Sequence, residues 1–155
     1  MDCASERSPL EKRDQGHETL LIVEDEPLMV RLLERFFSRH GYKVLVAADG
    51  EQAIEVYCRY KLHIDAVLLD ARLPKTTGEE VFRRMKDENP AVRVVMASGF
   101  LAPEKKREMT LAGVKRFVNK PYMLDELVEV FRSLFDNEPR NRELNANNKL
   151  RRDAH

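Results

Sequence analysis

Charged side chains and one hydroxyl in this chain follow apolar runs that have the character of buried strands. They are Glu24 and Asp25 after residues 20–23, Asp70 after residues 64–69, Ser98 after residues 92–97 and Lys120 after residues 114–118. In a parallel sheet the carboxyl ends of all strands lie along one edge, which is where open α/β sheets bind their ligands. We therefore expect these side chains to converge, although they are far apart in sequence.

Such a set of residues could hold a phosphoryl group beside a metal ion. Carboxylates that are packed together repel one another unless a cation neutralises them, and ligands that are all oxygen atoms favour a hard ion such as Mg²⁺. Mg²⁺ keeps positions open for phosphate oxygens, and a hydroxyl and an ammonium group would complete the cage. An aspartate can itself accept the phosphoryl group as a covalent acyl phosphate.

Each of these residues taken alone also has an ordinary structural interpretation. Asp25, close before a proline, is typical of a helix cap, and Asp70 could begin a turn. Ser98 before a glycine is more often part of a turn than of a ligand site. A lysine before proline, as Lys120 is, is usually a solvated surface charge. Only their joint occurrence at strand ends favours a functional site.

The elements that must position these side chains alternate along the chain. Short apolar runs predict strands at residues 20–23, 44–47, 64–69, 92–97 and about 116–118. Each run is followed by a segment predicted to be helical, and strict alternation predicts parallel strands with helices on both faces, an α/β fold. The inward-facing helical residues are predicted to be Met29, Leu32, Leu33, Phe36 and Phe37, then Ala53, Ile54, Tyr57 and Cys58, then Val81, Phe82 and Met85, and, after the helix at 103–112, Leu127, Val128, Phe131, Leu134 and Phe135.

Composition excludes several classes of function. The 27 basic and 27 acidic residues cancel, so no net field attracts nucleic acid or an anionic membrane. No apolar stretch approaches the roughly 20 residues of a membrane span, and the polar N-terminus lacks the apolar centre of a signal peptide. Cys3 and Cys58 form neither a disulfide framework nor a metal-ligand spacing. We expect a cytoplasmic protein that contacts neither membrane nor nucleic acid directly.

Composition also suggests where the folded domain begins and ends. Residues 1–18 are polar and are expected to form a flexible N-terminal segment, followed by one domain at 19–136. Residues 137–155 are rich in asparagine and arginine and poor in apolar surface, which predicts a disordered C-terminal tail. About 20 residues are too few for a helix-turn-helix unit.

Four short sequence motifs resemble those of the receiver domain of two-component response regulators. Residues 22–27 match the motif with an acidic pair, and residues 68–70 with Leu73, Pro74 and Gly78 match the phosphoacceptor loop. Residues 97–99 match the motif with a hydroxyl, and residues 119–121 match the motif with a lysine before proline. The resemblance covers the chain from about Thr19 to Phe135. It implies a doubly wound, five-stranded parallel sheet with five helices and the flavodoxin-like strand order 2-1-3-4-5.

The resemblance also implies a chemical role for each site residue. Asp70 would accept a phosphoryl group from a phosphohistidine on a sensor histidine kinase or a phosphotransfer domain. Asp25, helped by Glu24, would hold Mg²⁺ together with Asp70 and the backbone carbonyl of Arg72. Lys120 would pair with the phosphoryl group or, before transfer, with Asp70. Catalysis in such a domain is mainly positioning and charge neutralisation, and the protein would act as an enzyme only on its own phosphorylation and dephosphorylation.

Other residues would convert phosphorylation into a signal. Ser98 would move towards the phosphoryl group, and the aromatic side chain of Phe117 would turn inward, a change that rests on packing because phenylalanine has no hydroxyl. The output surface would comprise the helix after Ser98, the fifth strand and the last helix, and would bind an unknown downstream protein or, on phosphorylation, a second copy. Arg72 and Phe100 flank the phosphoryl position and are predicted to slow hydrolysis. Lys120–Pro121 is a candidate cis peptide bond.

Three other functions share parts of this pattern. A flavodoxin-like cofactor binder would have the same topology, but the acidic residues after the first strand would repel an anion there. A phosphohydrolase with an aspartyl nucleophile typically needs a second acid two residues on, where this chain has Arg72. A protein-interaction adaptor that works without phosphorylation is the third alternative, although every charged site residue is present. The same sequence is compatible with a stand-alone regulator and with the receiver domain of a larger chain such as a hybrid histidine kinase.

Overall fold

The structure is a computed structural model that describes residues 17–137. The predicted flexible segment at 1–18 and the predicted tail at 137–155 therefore lie outside the described residues, apart from residues 17, 18 and 137. Asn137, the first residue of the predicted tail, is the last residue of the final helix. Cys3 also lies outside the described part.

Within residues 17–137, five strands and five helices alternate, and the strands form one parallel sheet in the order β2-β1-β3-β4-β5. The predicted α/β fold and its strand order are confirmed. The strands are β1 (Thr19–Val23), β2 (Lys43–Ala47), β3 (Ala66–Asp70), β4 (Val94–Ser98) and β5 (Arg116–Asn119). The helices are α1 (Pro27–Arg39), α2 (Gly50–Tyr60), α3 (Gly78–Glu88), α4 (Pro103–Ala112) and α5 (Leu124–Asn137). None of the helices within residues 17–137 is long and apolar enough to cross a bilayer.

Local sequence accounts for most of the helix ends. The side chain of Asp49 accepts a hydrogen bond from the backbone N–H of Gln52 at 2.8 Å and caps α2. Thr77 caps α3 in the same way, and Pro103 is preorganised for the first turn of α4. Gly113 ends α4 with a φ of 118°, a left-handed conformation that favours glycine.

The core lies in two layers on opposite faces of the sheet. Because side chains alternate along a strand, Leu21 and Val23 point into the layer beneath α2, α3 and α4, whereas Leu20 and Ile22 point into the layer beneath α1 and α5. The central strands β1, β3 and β4 are buried along their whole length. Helices on both faces thus fix the position of every strand end.

Two side chains predicted to face inward are exposed. Leu32 is 47% exposed, because the buried stripe of α1 is centred on Leu33 and Phe37. Cys58 is exposed because Ile54 already lies at the margin of the buried stripe of α2, and Cys58 is one turn further along that margin. Both stripes are narrower than their hydrophobic pattern suggested.

The third and fourth strands begin two residues later than predicted and end one residue later. Residues 64–65 and 92–93 are buried and lie just before the two strands, where the side chains of Asp65 and Arg93 add hydrogen bonds to those of the backbone. The carboxylate of Asp65 accepts from the backbone N–H of Thr19 at 2.8 Å, and the Arg93 guanidinium donates to the carbonyl of Asp65 at 2.9 Å. At the other end, Asp70 and Ser98 are the last residues of their strands, and the ladder itself fixes their backbone.

Candidate active site at the carboxyl ends of the strands

Backbone pairing brings four strand ends to one point on the sheet edge. Asp70 lies opposite Ala97 in the β3–β4 register, and Ser98 lies opposite Asn119 in the β4–β5 register. The pairing continues past the strands, since the N–H of Lys120 donates to the carbonyl of Ser98 at 2.9 Å. Glu24, which follows β1 directly, is tied to β2 by a backbone hydrogen bond to Ala47. The predicted convergence of the site residues is therefore observed.

A single ammonium group joins two buried carboxylates at this point. The Nζ atom of Lys120 donates to Oδ2 of Asp70 at 2.7 Å and to Oε2 of Glu24 at 2.8 Å. Glu24 is 2% exposed and Asp70 is 4% exposed, so bulk water solvates neither carboxylate. The lysine is thus the counter-ion for both acids.

The pKa of Lys120 reflects two opposing effects. Burial, the largest single effect, lowers the pKa, whereas the hydrogen bonds to Asp70 and Glu24 and their negative charges raise it. Together the carboxylates outweigh burial, and the pKa lies above its ordinary value. Lys120 is therefore fully protonated at neutral pH, in the form that pairs with anions.

The loop after β3 holds the Asp70 carboxylate from the other side. Oδ1 of Asp70 accepts a hydrogen bond from the backbone N–H of Arg72 at 2.9 Å. Gly78 closes the loop, because its N–H donates to the carbonyl of Ala71 at 3.0 Å. A Cβ atom at Gly78 would collide with the carbonyl oxygen of Asp70 and lie 2.8 Å from the Cα atom of Ala71. This position requires glycine because the backbone passes so close to the acid.

Three carboxylates form a cluster that fits a divalent cation. One oxygen each of Glu24, Asp25 and Asp70 lies within 4.8 Å of the others, and the set contains only oxygen donors, as Mg²⁺ prefers. Asp25 is exposed, whereas the other two acids are buried. No described residue hydrogen-bonds the carboxylate of Asp25, which leaves it available as a ligand on the open side. The peptide group of Arg72 borders the same cluster through its hydrogen bond to Asp70.

Ser98 is at the site, but its hydroxyl faces its own loop. Oγ of Ser98 donates to the carbonyl of Phe100 at 2.8 Å. Beside it lies an open cavity of about 210 Å³ between the loops that follow β3 and β4. Arg72 and Phe100 line this cavity with Met96 and Met109, and Phe100 is 79% exposed.

Phe117 lies on β5, which β4 separates from the strand that ends in Asp70. Its ring is partly buried against the layer of core beneath α2, α3 and α4. The ammonium group of Lys106 on α4 lies 5.5 Å from the ring centroid, within the range of a cation–π contact. The predicted switch residue therefore contacts a neighbouring helix of the predicted output surface.

The matched region and the site geometry agree with one family. Residues 20–132 match the response regulator receiver domain family. The chain belongs to this family.

Relatives of this receiver domain include signalling proteins of different sizes. The chain is 31% identical over 111 residues to sporulation initiation phosphotransferase F of Bacillus subtilis, covering 72% of this chain and 88% of that protein. It is 34% identical over 115 residues to transcriptional regulatory protein TcrA of Mycobacterium tuberculosis, covering 74% of this chain but 45% of TcrA. The chain thus spans less than half the length of TcrA and of several other curated relatives.

Solved structures share the receiver fold. The CheX–CheY–BeF3–Mg²⁺ complex of Borrelia burgdorferi has a chain that matches with a TM-score of 0.75 and 27% identity, covering 81% of this chain and 98% of that one. The chemotaxis protein CheY4 of Vibrio cholerae matches in fold, with a TM-score of 0.69 at 23% identity over 75% of this chain and 97% of that one.

The structure adds one residue of this receiver domain to which sequence reasoning assigned no role. Tyr122 lies two residues after Lys120, across the Lys120–Pro121 peptide bond, which is cis as predicted. Its hydroxyl lies 3.3 Å from Oε2 of Glu24, and its ring centroid lies 5.4 Å from Nζ of Lys120. Burial, followed by the charges of Glu24 and Asp70, raises the pKa of Tyr122, so its hydroxyl keeps its proton and acts as a donor. Only its place beside the lysine could have suggested this contact from sequence.

Proposed function

We propose that this receiver domain is a phosphorylation-dependent switch in which Asp70 accepts a phosphoryl group from a phosphohistidine. The observation that carries the proposal is the pairing of Asp70 with Lys120 at 2.7 Å at the end of a buried strand. This contact places a positive charge beside the carboxylate, where the transferred group would carry its negative charge. The described fold and the family both fit such a role.

In the proposed reaction, an oxygen of Asp70 forms a bond to phosphorus as the bond between phosphorus and the donor imidazole nitrogen breaks. The imidazole leaves with the electron pair of that bond, and Lys120 turns to the phosphoryl oxygens. Glu24, Asp25, Asp70 and the carbonyl of Arg72 would hold Mg²⁺, which would supply further neutralisation of the phosphoryl charge. The Mg²⁺ named with the CheY chain of Borrelia burgdorferi supports this choice of ion.

The partners follow from the same chemistry. A sensor histidine kinase or a phosphotransfer domain would supply the phosphoryl group, and the relation to sporulation initiation phosphotransferase F supports a place in phosphoryl transfer. The proposed output is a surface of α4, β5 and α5 that binds a downstream protein or a second copy when Ser98 and Phe117 move. We further propose that the domain occupies residues 19–136 and acts in the cytoplasm.

Intact-mass spectrometry after incubation with acetyl phosphate and Mg²⁺ tests the phosphoacceptor. The parent protein should gain one phosphoryl group, and Asp70→Asn should gain none, because the amide is not a nucleophile. Asp87→Asn, an exposed acid at the end of α3, is the matched control and should behave as the parent. A folded parent without an adduct would instead favour the phosphorylation-independent adaptor, and an adduct that persists in Asp70→Asn would place the acceptor elsewhere.

Hydrolysis of the acyl phosphate is proposed to depend on the two residues that line the adjoining cavity. The side chains of Arg72 and Phe100 line the cavity beside the loop that follows Asp70. We propose that they limit the access of water to the acyl phosphate, so replacement of either by alanine should shorten the lifetime of the phosphorylated protein. Loss of the phosphoryl adduct over time measures this rate. Unchanged rates in Arg72→Ala and Phe100→Ala would contradict the assignment.

A further inference from the structure

Tyr122 makes a polar contact with a buried acid that the proposed transfer step does not itself require. We propose that Tyr122 is a positioning residue that holds the Glu24 carboxylate in place for the metal site while Lys120 turns from Glu24 to the phosphoryl group. The inference rests on the proposed function, since that function requires Lys120 to change partners. In this proposal the tyrosine hydroxyl acts only by orienting Glu24 and does not contact the phosphoryl group.

The hydrogen bonds of Glu24 explain why a second donor matters. Its Oε2 atom accepts from Lys120 at 2.8 Å and lies 3.3 Å from the hydroxyl of Tyr122, while Oε1 accepts from the backbone N–H of Glu26 at 3.4 Å. Because the ammonium group of Lys120 also donates to Asp70, Glu24 shares this counter-ion with a second carboxylate. A carboxylate that is 2% exposed cannot turn to bulk water for a replacement.

Once Lys120 turns to the phosphoryl oxygens, Tyr122 is the side-chain donor that stays. Its ring packs against the core layer beneath α1 and α5, so it has little freedom to follow the lysine. A hydroxyl that is fixed by packing keeps Oε2 in one direction and leaves the acid oriented towards Asp25 and Asp70. The buried carboxylate is thereby preorganised for a cation rather than left to rotate.

The Tyr122→Phe variant removes only the hydroxyl and keeps the packed ring. We expect its affinity for Mg²⁺, measured from amide shifts in a ¹H–¹⁵N NMR titration with MgCl₂, to fall about tenfold, as is typical of a lost hydrogen bond to a charged group. The Mg²⁺ concentration that half-saturates phosphorylation by acetyl phosphate should rise by the same factor, with the rate at saturating Mg²⁺ close to that of the parent. Tyr60→Phe, which removes an exposed hydroxyl from α2, is the control and should match the parent.

A combined variant separates positioning from a general loss of structure. In a Glu24→Gln background the effect of Tyr122→Phe on Mg²⁺ affinity should disappear, because the charged partner is gone. A Tyr122→Phe protein with the Mg²⁺ affinity of the parent, or an effect that persists in the Glu24→Gln background, would overturn the inference. If the parent takes no phosphoryl group, the proposed function fails, whereas the NMR titration still decides the role of Tyr122.

Discussion

At the scale of single residues, the site depends on how one cation is divided between two acids. Lys120 contacts Asp70 and Glu24 at nearly equal distances, and both acids are buried. Without the ammonium group the two carboxylates would repel each other across a poorly solvated space. A positive charge at this point, from the lysine or from a metal ion, therefore stabilises the site.

Replacing Lys120 by glutamine should therefore destabilise the protein in a way that a metal relieves. We expect the free energy of unfolding at neutral pH to fall by about 2 kcal/mol without Mg²⁺, less than for a fully buried pair because the lysine is partly exposed. Saturating Mg²⁺ should recover part of this loss by supplying the missing positive charge. Urea denaturation measures both values, and Lys43→Gln, an exposed lysine at the start of β2, should stay within about 0.5 kcal/mol of the parent. An equal loss with and without Mg²⁺ would contradict this account.

The same lysine sets a pH dependence on the alkaline side. Although burial alone lowers its pKa, the hydrogen bonds to Asp70 and Glu24 raise it above 10.5 in the folded protein. An ammonium group whose pKa is raised by folding stabilises the folded state below its unfolded pKa, and this contribution is lost as the pH rises through the folded pKa. The difference in stability between the parent and Lys120→Gln should be constant near neutral pH and shrink above pH 10.5. If the difference in stability already disappears below pH 10.5, deprotonation of Lys120 is not its cause.

Gly78 offers a matched pair of substitutions at the phosphoacceptor loop. Gly78→Ala should lower the free energy of unfolding by about 1 to 3 kcal/mol, because its Cβ atom meets the backbone of Asp70 and Ala71 and overpacks the loop. Gly99→Ala is the control, since a Cβ atom there meets nothing within 4 Å. Urea denaturation of the two variants decides the point, and equal stabilities would mean that the loop can move aside.

At the scale of elements, helices α3 and α4 are joined by charges beside the cavity. Glu79 on α3 accepts from Lys105 on α4 at 3.0 Å and from Arg83 at 3.1 Å. Glu108 on α4 accepts from Arg83 and from Lys105, both at 3.3 Å. Each residue has a partner on its own helix and one on the other. The network ties the two helices at the rim of the site, and any movement of α4 must rearrange it.

Removing the charge of Glu79 should weaken this connection by a modest amount. We expect Glu79→Gln to lower the free energy of unfolding by less than about 1 kcal/mol, since the pairs are solvent-accessible. The effect should be smaller at high salt, which screens the charges. Chemical denaturation at low and high salt measures it, with the exposed Glu55→Gln on α2 as control.

Stability at acidic pH supplies a second test of the charge network between α3 and α4. Hydrogen bonds from Lys105 and then Arg83 lower the pKa of Glu79 below its ordinary value of 4.5. A carboxyl group with a lowered pKa stabilises the folded state above its unfolded pKa, and the contribution is lost as the pH falls through the folded pKa. The stability difference between the parent and Glu79→Gln should therefore be present at neutral pH and vanish in acid below pH 4.5. A difference that persists well into acid would indicate a cause other than charge.

At the scale of the whole molecule, strand order brings distant residues together. Glu24 and Lys120 are 96 positions apart and meet because β1, β3, β4 and β5 are consecutive neighbours in the sheet. Within residues 17–137, one core layer packs beneath α2, α3 and α4, and the other packs beneath α1 and α5. The fold thus has the core that an independent domain needs.

A chain limited to residues 17–137 should therefore fold and function as the full chain does. We expect one cooperative unfolding transition, a free energy of unfolding within about 1 kcal/mol of the full chain, and the same single phosphoryl adduct. Ending the chain at residue 123 removes α5 with Phe131 and Leu134 and should abolish cooperative unfolding, because one core layer loses a helix. A marked loss of stability in the 17–137 chain would show that the predicted domain boundary at 19–136 is too narrow.

Sequence alone predicted the alternating architecture and which charged residues come together at one edge of the sheet. Apolar runs with period and length typical of strands, and helix signals such as Pro103 and Gly113, are local properties that a chain carries without its fold. Because parallel strands share one carboxyl edge, the position of Asp70, Ser98 and Lys120 after such runs was enough to predict that they meet.

Only the tertiary structure decided how the site residues divide their contacts. The family resemblance placed Asp25, helped by Glu24, at the metal site, and the structure adds that Glu24 is buried against Lys120 whereas Asp25 is exposed. The contact of Tyr122 with Glu24 and the exposure of Leu32 and Cys58 also appeared only in three dimensions. These features depend on side-chain direction and on partners from remote parts of the chain. A pattern of residue types fixes which strand end a side chain follows, but packing fixes which neighbour it can reach.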